Sequence, residues 1–193
     1  MIKDHDNIIQ RNSTDFKLIF ILEPGANNKS LTKINNMKPS IGVTTDHLTS
    51  ASRALNAILA DEFILYTKTR GAHWNVEGPD FHSMHLYFES LYEELADIID
   101  EIAERIRVLG HYASAKLGEY LELTHLTEHS SEPNTSEGFI KSLLNDHETI
   151  IIHFRENINY FMNELNDAGT SDFITGLMEK HEKMAWMLRS HLK

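Results

Sequence analysis

Apolar residues recur at helical spacing from Thr45 onward, where Leu48, Ala51, Leu55, Ile58, Leu59 and Leu65 mark one face of the chain. This three-to-four residue period predicts an amphipathic helix over about 46 to 72, with Thr45 or Asp46 placed to cap its first turn. The segment Asn75-Val76-Glu77-Gly78-Pro79-Asp80 is turn chemistry. Asp80 is placed to cap a second helix, whose stripe reads Met84, Phe88, Leu91, Leu95, Ile98, Ile102 and Leu109 and which Gly110 ends. Residues 111 to 135 have no long stripe, although Leu117 to Leu123 predicts a short helix. A third long helix follows over about 136 to 166, with Phe139, Leu143, Ile150, Ile151, Phe154, Ile158, Phe161 and Leu165. Gly169 is expected to stop it. Thr170 or Ser171 then caps a last helix whose inward face is Phe173, Leu177, His181, Met184, Leu188 and Leu192.

Four long helices with one long connection, between the second and third, predict an all-α protein: a ferritin-like four-helix bundle with a short helix in the long crossover. The bundle domain is expected to span 45–193. Residues 1 to 44 hold Pro24, Gly25, Pro39 and Gly42 among Asn, Ser and Lys, and read as a flexible tail. Met37-Lys38-Pro39 offers an alternative start within it.

Charge and composition narrow the chemistry. The net charge is -11, from 29 acidic against 18 basic residues. The tail holds six basic and four acidic residues, +2, which leaves -13 for the body. Such a body attracts cations and repels polyanions. With no cysteine, disulfides, thiolate metal sites and cysteine nucleophiles are excluded, and a reducing cytoplasm is the expected compartment. The longest apolar run, Leu18 to Leu22, is far below the roughly 20 residues of a membrane helix and lacks a signal-peptide layout. Any metal must be held by oxygen and nitrogen, and 12 histidines are available.

Asp100 and Glu104, four apart on the second helix, share a face at about 6 Å, which suits a hard cation. An acid pair of this kind is also ordinary on a solvated helix face, so its setting matters. His73 closes the first helix and His85 opens the second, and a short turn between antiparallel helices brings the two imidazoles together. His82 completes a His-x-x-His pair with His85 but falls at the helix start, facing water. Because His85 and Asp100 lie roughly 22 Å apart along one axis, one chain cannot carry both halves to one ion. Two copies of this helix crossing antiparallel about a twofold axis near Glu93 and Glu94 would bring His85 of one chain to Asp100 and Glu104 of the other. The stripe Glu89, Tyr92, Ala96, Ile99 and Ala103 faces that way, with small residues suited to a close helix partner.

The run His73-Trp74-Asn75-Val76-Glu77-Gly78-Pro79-Asp80-Phe81, then His85, then Asp100-Glu101-Ile102-Ala103-Glu104-Arg105 resembles the signature of the Dps mini-ferritins (DNA protection during starvation). The resemblance covers about 45 to 193, including Ala185-Trp186-Met187-Leu188-Arg189 near the end. It implies a dodecameric shell that oxidises Fe²⁺, with hydrogen peroxide the preferred oxidant, and stores the ferric product. Its intersubunit di-iron ferroxidase sites would take His73 and His85 from one subunit and Asp100 and Glu104 from its mate. It further implies Glu89 as an auxiliary iron ligand, Trp74 as a nearby aromatic that absorbs oxidising equivalents, and Asp167 and Asp172 as acids of a threefold entry pore.

Two rival functions follow from other residues. A nucleoid protein would contact DNA phosphates through tail lysines such as Lys29, Lys33 and Lys38, with many tails offsetting weak single contacts; the acidic body opposes this. A ferritin with its di-iron site inside one bundle needs Glu-x-x-His motifs on its long helices, and the only one here, Glu122 to His125, lies in the crossover.

Overall fold

The computed structural model of the chain describes residues 39–129 and 132–193. Lys29, Lys33 and Lys38, and with them most of the expected tail and the alternative start at Met37, lie outside the described residues.

The first long stripe forms helix α1, Thr45–Asn75. Its cap is one residue earlier than expected: the Thr44 hydroxyl accepts from the His47 N–H at 3.3 Å, which satisfies one of the amides that have no partner in a first turn. Helix α2 spans Phe81–Val108, and its buried stripe is Met84, Phe88, Leu91, Leu95, Ile98 and Ile102, continued by Ile106. Asp80 occupies the cap position, but its side chain makes no capping hydrogen bond, contrary to the expectation from residue type. At the other end Gly110 takes φ +83. Its N–H bonds to the Arg107 carbonyl at 2.9 Å and that of His111 to the Ile106 carbonyl at 3.2 Å, the double closure of a glycine-terminated helix. Pro39 packs against this glycine and Val43 against the core, so chain ahead of Thr45 joins the packed domain.

Helix α3 is Leu117–Leu123, as predicted, and α4 is Ser136–Asn159, capped by Thr135 through the Gly138 N–H. The third long helix stops being α-helical sooner than its apolar stripe suggested. Tyr160–Glu164 forms a wider π turn, closed by the Leu165 N–H on the Tyr160 carbonyl at 3.1 Å. Phe161 and Leu165 nevertheless stay buried, because the spacing of apolar residues records which face is covered rather than the hydrogen-bond pattern. Asn166, with φ 52, makes the break that Gly169 was expected to make; asparagine tolerates this left-handed conformation. Helix α5 is Ala168–Ser190, capped by Asp167 rather than by Thr170 or Ser171.

Helix α1 pairs with α2 and α4 with α5, while α1 also packs on α4 and α3. Among the described residues there is no strand, only one isolated bridge between Glu77 and Thr135. Most of the core is aliphatic and phenylalanine, including Leu55, Leu95, Phe88 and Phe154. No helix among the described residues is long and apolar enough to cross a membrane.

Candidate metal centre

The turn from α1 to α2 is tight. The Val76 N–H returns to the Ala72 carbonyl at 3.0 Å, and Gly78 has φ +130. This brings the last turn of α1 beside the first turns of α2, where His73 and His85 stack with ring centroids 3.7 Å apart and planes at 23°. Each ring reaches across to the other residue's backbone: His73 Nδ1 donates to the His85 carbonyl and His85 Nδ1 to the His73 carbonyl, both at 2.8 Å. A carbonyl oxygen only accepts, so both Nδ1 atoms carry the proton. In the neutral rings both Nε2 atoms therefore keep their lone pairs, which is how metal-binding histidines are prepared.

Aromatic residues surround the pair. Tyr92 meets the His73 ring edge-on at 5.2 Å and Phe81 lies 5.2 Å from His85. The Tyr92 hydroxyl donates to Glu89 at 3.1 Å, and desolvation followed by Glu89 raises its pKa. Arg70 lies over Tyr92 at 4.4 Å and over Trp74 at 5.2 Å. Trp74 itself is 63% exposed, on the outside of this cluster.

Asp100 and Glu104 share the exposed side of α2. Their neighbours are engaged within the chain: Glu101 pairs with Lys180 at 3.1 Å, and Arg105 bonds to Thr170 at 2.8 Å. Neither Asp100 nor Glu104 has an ion pair among the described residues. They remain on the same helix as His85 but several turns away, and among the described residues no three His, Asp or Glu side chains surround a common point.

Of the two acids expected at a pore, Asp172 is exposed. Asp167 is not: it is 5% exposed, caps α5 through the Thr170 N–H at 3.0 Å, bonds the Thr170 hydroxyl, and faces Arg105 at 3.4 Å. Its carboxylate serves the local structure. His82 is exposed, in keeping with its place at the helix start.

The bundle also contains buried polar groups outside the candidate centre. Glu62, His147 and His181 are fully buried. His147 and His181 place their Nδ1 atoms 3.0 Å apart, so one ring supplies the proton and the other the lone pair. Only His181 could be placed inside from its stripe. A carboxylate such as Glu62 interrupts an apolar pattern and leaves no periodic signature.

The fold is that of a ferritin-like bundle, and the ferritin-like domain profile matches residues 52–193. A crystal structure of a Dps protein from Vibrio cholerae O1, described as a member of a broad superfamily of ferritin-like diiron-carboxylate proteins, is similar at a TM-score of 0.75 and 31% identity, covering 81% of this chain and 97% of that one. DNA protection during starvation protein 2 of Bacillus anthracis is 39% identical over 138 residues, 72% of this chain and 93% of that protein. A low temperature-induced protein of Nostoc sp. is 42% identical over 154 residues, 80% of this chain and 86% of its own length. The chain belongs to the Dps family of ferritin-like proteins.

Proposed function

We propose that the protein is a ferroxidase and iron-storing mini-ferritin whose centre is completed between two subunits. The observation that carries this reading is the reciprocal hydrogen bonding of His73 and His85, which leaves the Nε2 lone pairs of two neighbouring imidazoles free to take a metal. Asp100 and Glu104, without an ion pair among the described residues on the exposed side of α2, supply the oxygen ligands when a second copy of α2 crosses the first antiparallel. Imidazole and carboxylate together suit iron. In this reading Glu89, tied to Tyr92, adds an oxygen ligand, and Trp74 takes up an oxidising equivalent, both roles following from the family resemblance.

Ferrous iron is the substrate. Two Fe²⁺ ions give up one electron each, and one hydrogen peroxide takes both with two protons to leave two waters. Peroxide removal and iron sequestration together protect DNA without contact with it, in keeping with the function named for the Bacillus anthracis relative. The acidic body draws Fe²⁺ in, and the ferric product collects inside a closed homo-oligomer, a dodecamer by family resemblance. The compartment is the cytoplasm.

Replacing the acids tests this reading. Asp100→Ala with Glu104→Ala keeps the assembly, judged by size-exclusion chromatography with light scattering, and slows peroxide-driven Fe²⁺ oxidation on the order of a hundredfold, because lost ligands cost at least as much as lost outer partners. Unchanged kinetics in an intact shell contradicts the assignment.

A further inference from the structure

Away from His73 and His85, a second imidazole pair is built on a similar plan. Asp61, in the middle of α1, is 2% exposed, and its carboxylate faces the segment that follows α3. Oδ1 accepts from the Thr124 hydroxyl at 2.8 Å and from the His125 N–H at 2.6 Å, and Oδ2 stands 2.9 Å from His125 Nδ1. The first two bonds tie down the crossover, whereas the third serves only the imidazole. An ionised carboxylate accepts and does not donate, so Nδ1 of His125 holds the proton and the neutral ring keeps its lone pair on Nε2.

The His125 ring stacks on that of His153 from α4, with centroids 4.1 Å apart and planes at 27°. Both remain reachable, with side chains 46% and 27% exposed. Glu156, on the next turn of α4, brings Oε2 to 3.9 Å from His153 Nδ1. The hydrogen-bonded Asp61 carboxylate fixes the tautomer of His125, as a carboxylate does behind metal-bound histidines.

We propose that His125 and His153 form a second cation site, on the surface, which takes a divalent transition-metal ion of the zinc or copper kind. Two imidazole nitrogens bind the ion, and water completes the coordination. Imidazole ligands favour such ions over calcium or magnesium, which take oxygen. Asp61 is a positioning residue that acts through His125. The site shares no residue with the ferroxidase reading, so either can fail alone.

Calorimetric titration of the full-length assembly with Zn²⁺ tests the proposal. His125→Ala with His153→Ala is expected to remove about one Zn²⁺ per chain while peroxide-driven iron oxidation proceeds at the wild-type rate. Asp61→Asn weakens the same binding step by about 10- to 100-fold. Wild-type protein provides a readout that needs no variant: Zn²⁺ should shield His125 and His153 from carbethoxylation, read residue by residue by peptide mass spectrometry. Equal Zn²⁺ stoichiometry and affinity in the double variant, or equal modification of both histidines with and without Zn²⁺, overturns the proposal.

Discussion

His181 Nε2 stands 3.1 Å from Glu62 Oε1 at the centre of the bundle, with both side chains fully buried. The contact extends to His147, whose Nε2 has no hydrogen-bond partner among the described residues. Burial, with His181 beside it, pushes the His147 imidazole well below its ordinary range, so folding favours the neutral ring. For a histidine lowered in this way, the associated stability is complete above the unfolded pKa near 6.5. It is lost as pH falls below that value, until the folded pKa is reached. Wild-type stability should therefore decline below about pH 6.5, at up to about 1.4 kcal/mol per pH unit for this proton. His147→Leu should flatten that limb. Urea unfolding across pH at fixed protein concentration measures the slope, and an unchanged acid limb in the variant removes His147 as its source.

Asp167 and Asp172 should separate in experiment although both were expected at a pore. Asp167 caps α5 and meets Arg105, so Asp167→Ala should cost about 0.5–2 kcal/mol, the range for a lost cap. The exposed Asp172 should tolerate alanine within about 0.5 kcal/mol and, if it lines the iron entry route, slow uptake. Thermal unfolding and stopped-flow iron uptake on the two variants measure these effects separately.

Gly110 combines a positive φ with close packing. A Cβ there would lie 2.6 Å from Pro39 Cδ, and the backbone already sits at φ +83. Gly110→Ala should destabilise the protein by about 1–3 kcal/mol, whereas Gly118→Ala, with open space around it, lacks the clash. A thermal melt of the pair measures the difference.

The helices were legible because each buries one continuous stripe, and the short α3 was placed to the residue. Their ends were less so. Asn166 rather than Gly169 turns the chain, a choice made by the geometry after the π turn, and Asp80 sits at a cap without capping. In the site, the two histidines were readable from their positions at either end of one short turn. The reciprocal bonds that set their tautomers run to backbone carbonyls, and no residue type announces a carbonyl's direction. Asp61 and Glu62 were missed for a related reason: neighbouring acids on a helix read as solvated, and only tertiary packing places both inside.

Mixing two inactive chains tests the division of the centre between subunits. One carries His73→Ala with His85→Ala, the other Asp100→Ala with Glu104→Ala, and they are unfolded together and reassembled in equal amounts. Random pairing about the twofold axis should rebuild about a quarter of the sites, each with histidines from one chain and acids from the other. Recovery of roughly that share of peroxide-driven Fe²⁺ oxidation is the predicted result; mixed shells as inactive as either parent would contradict it.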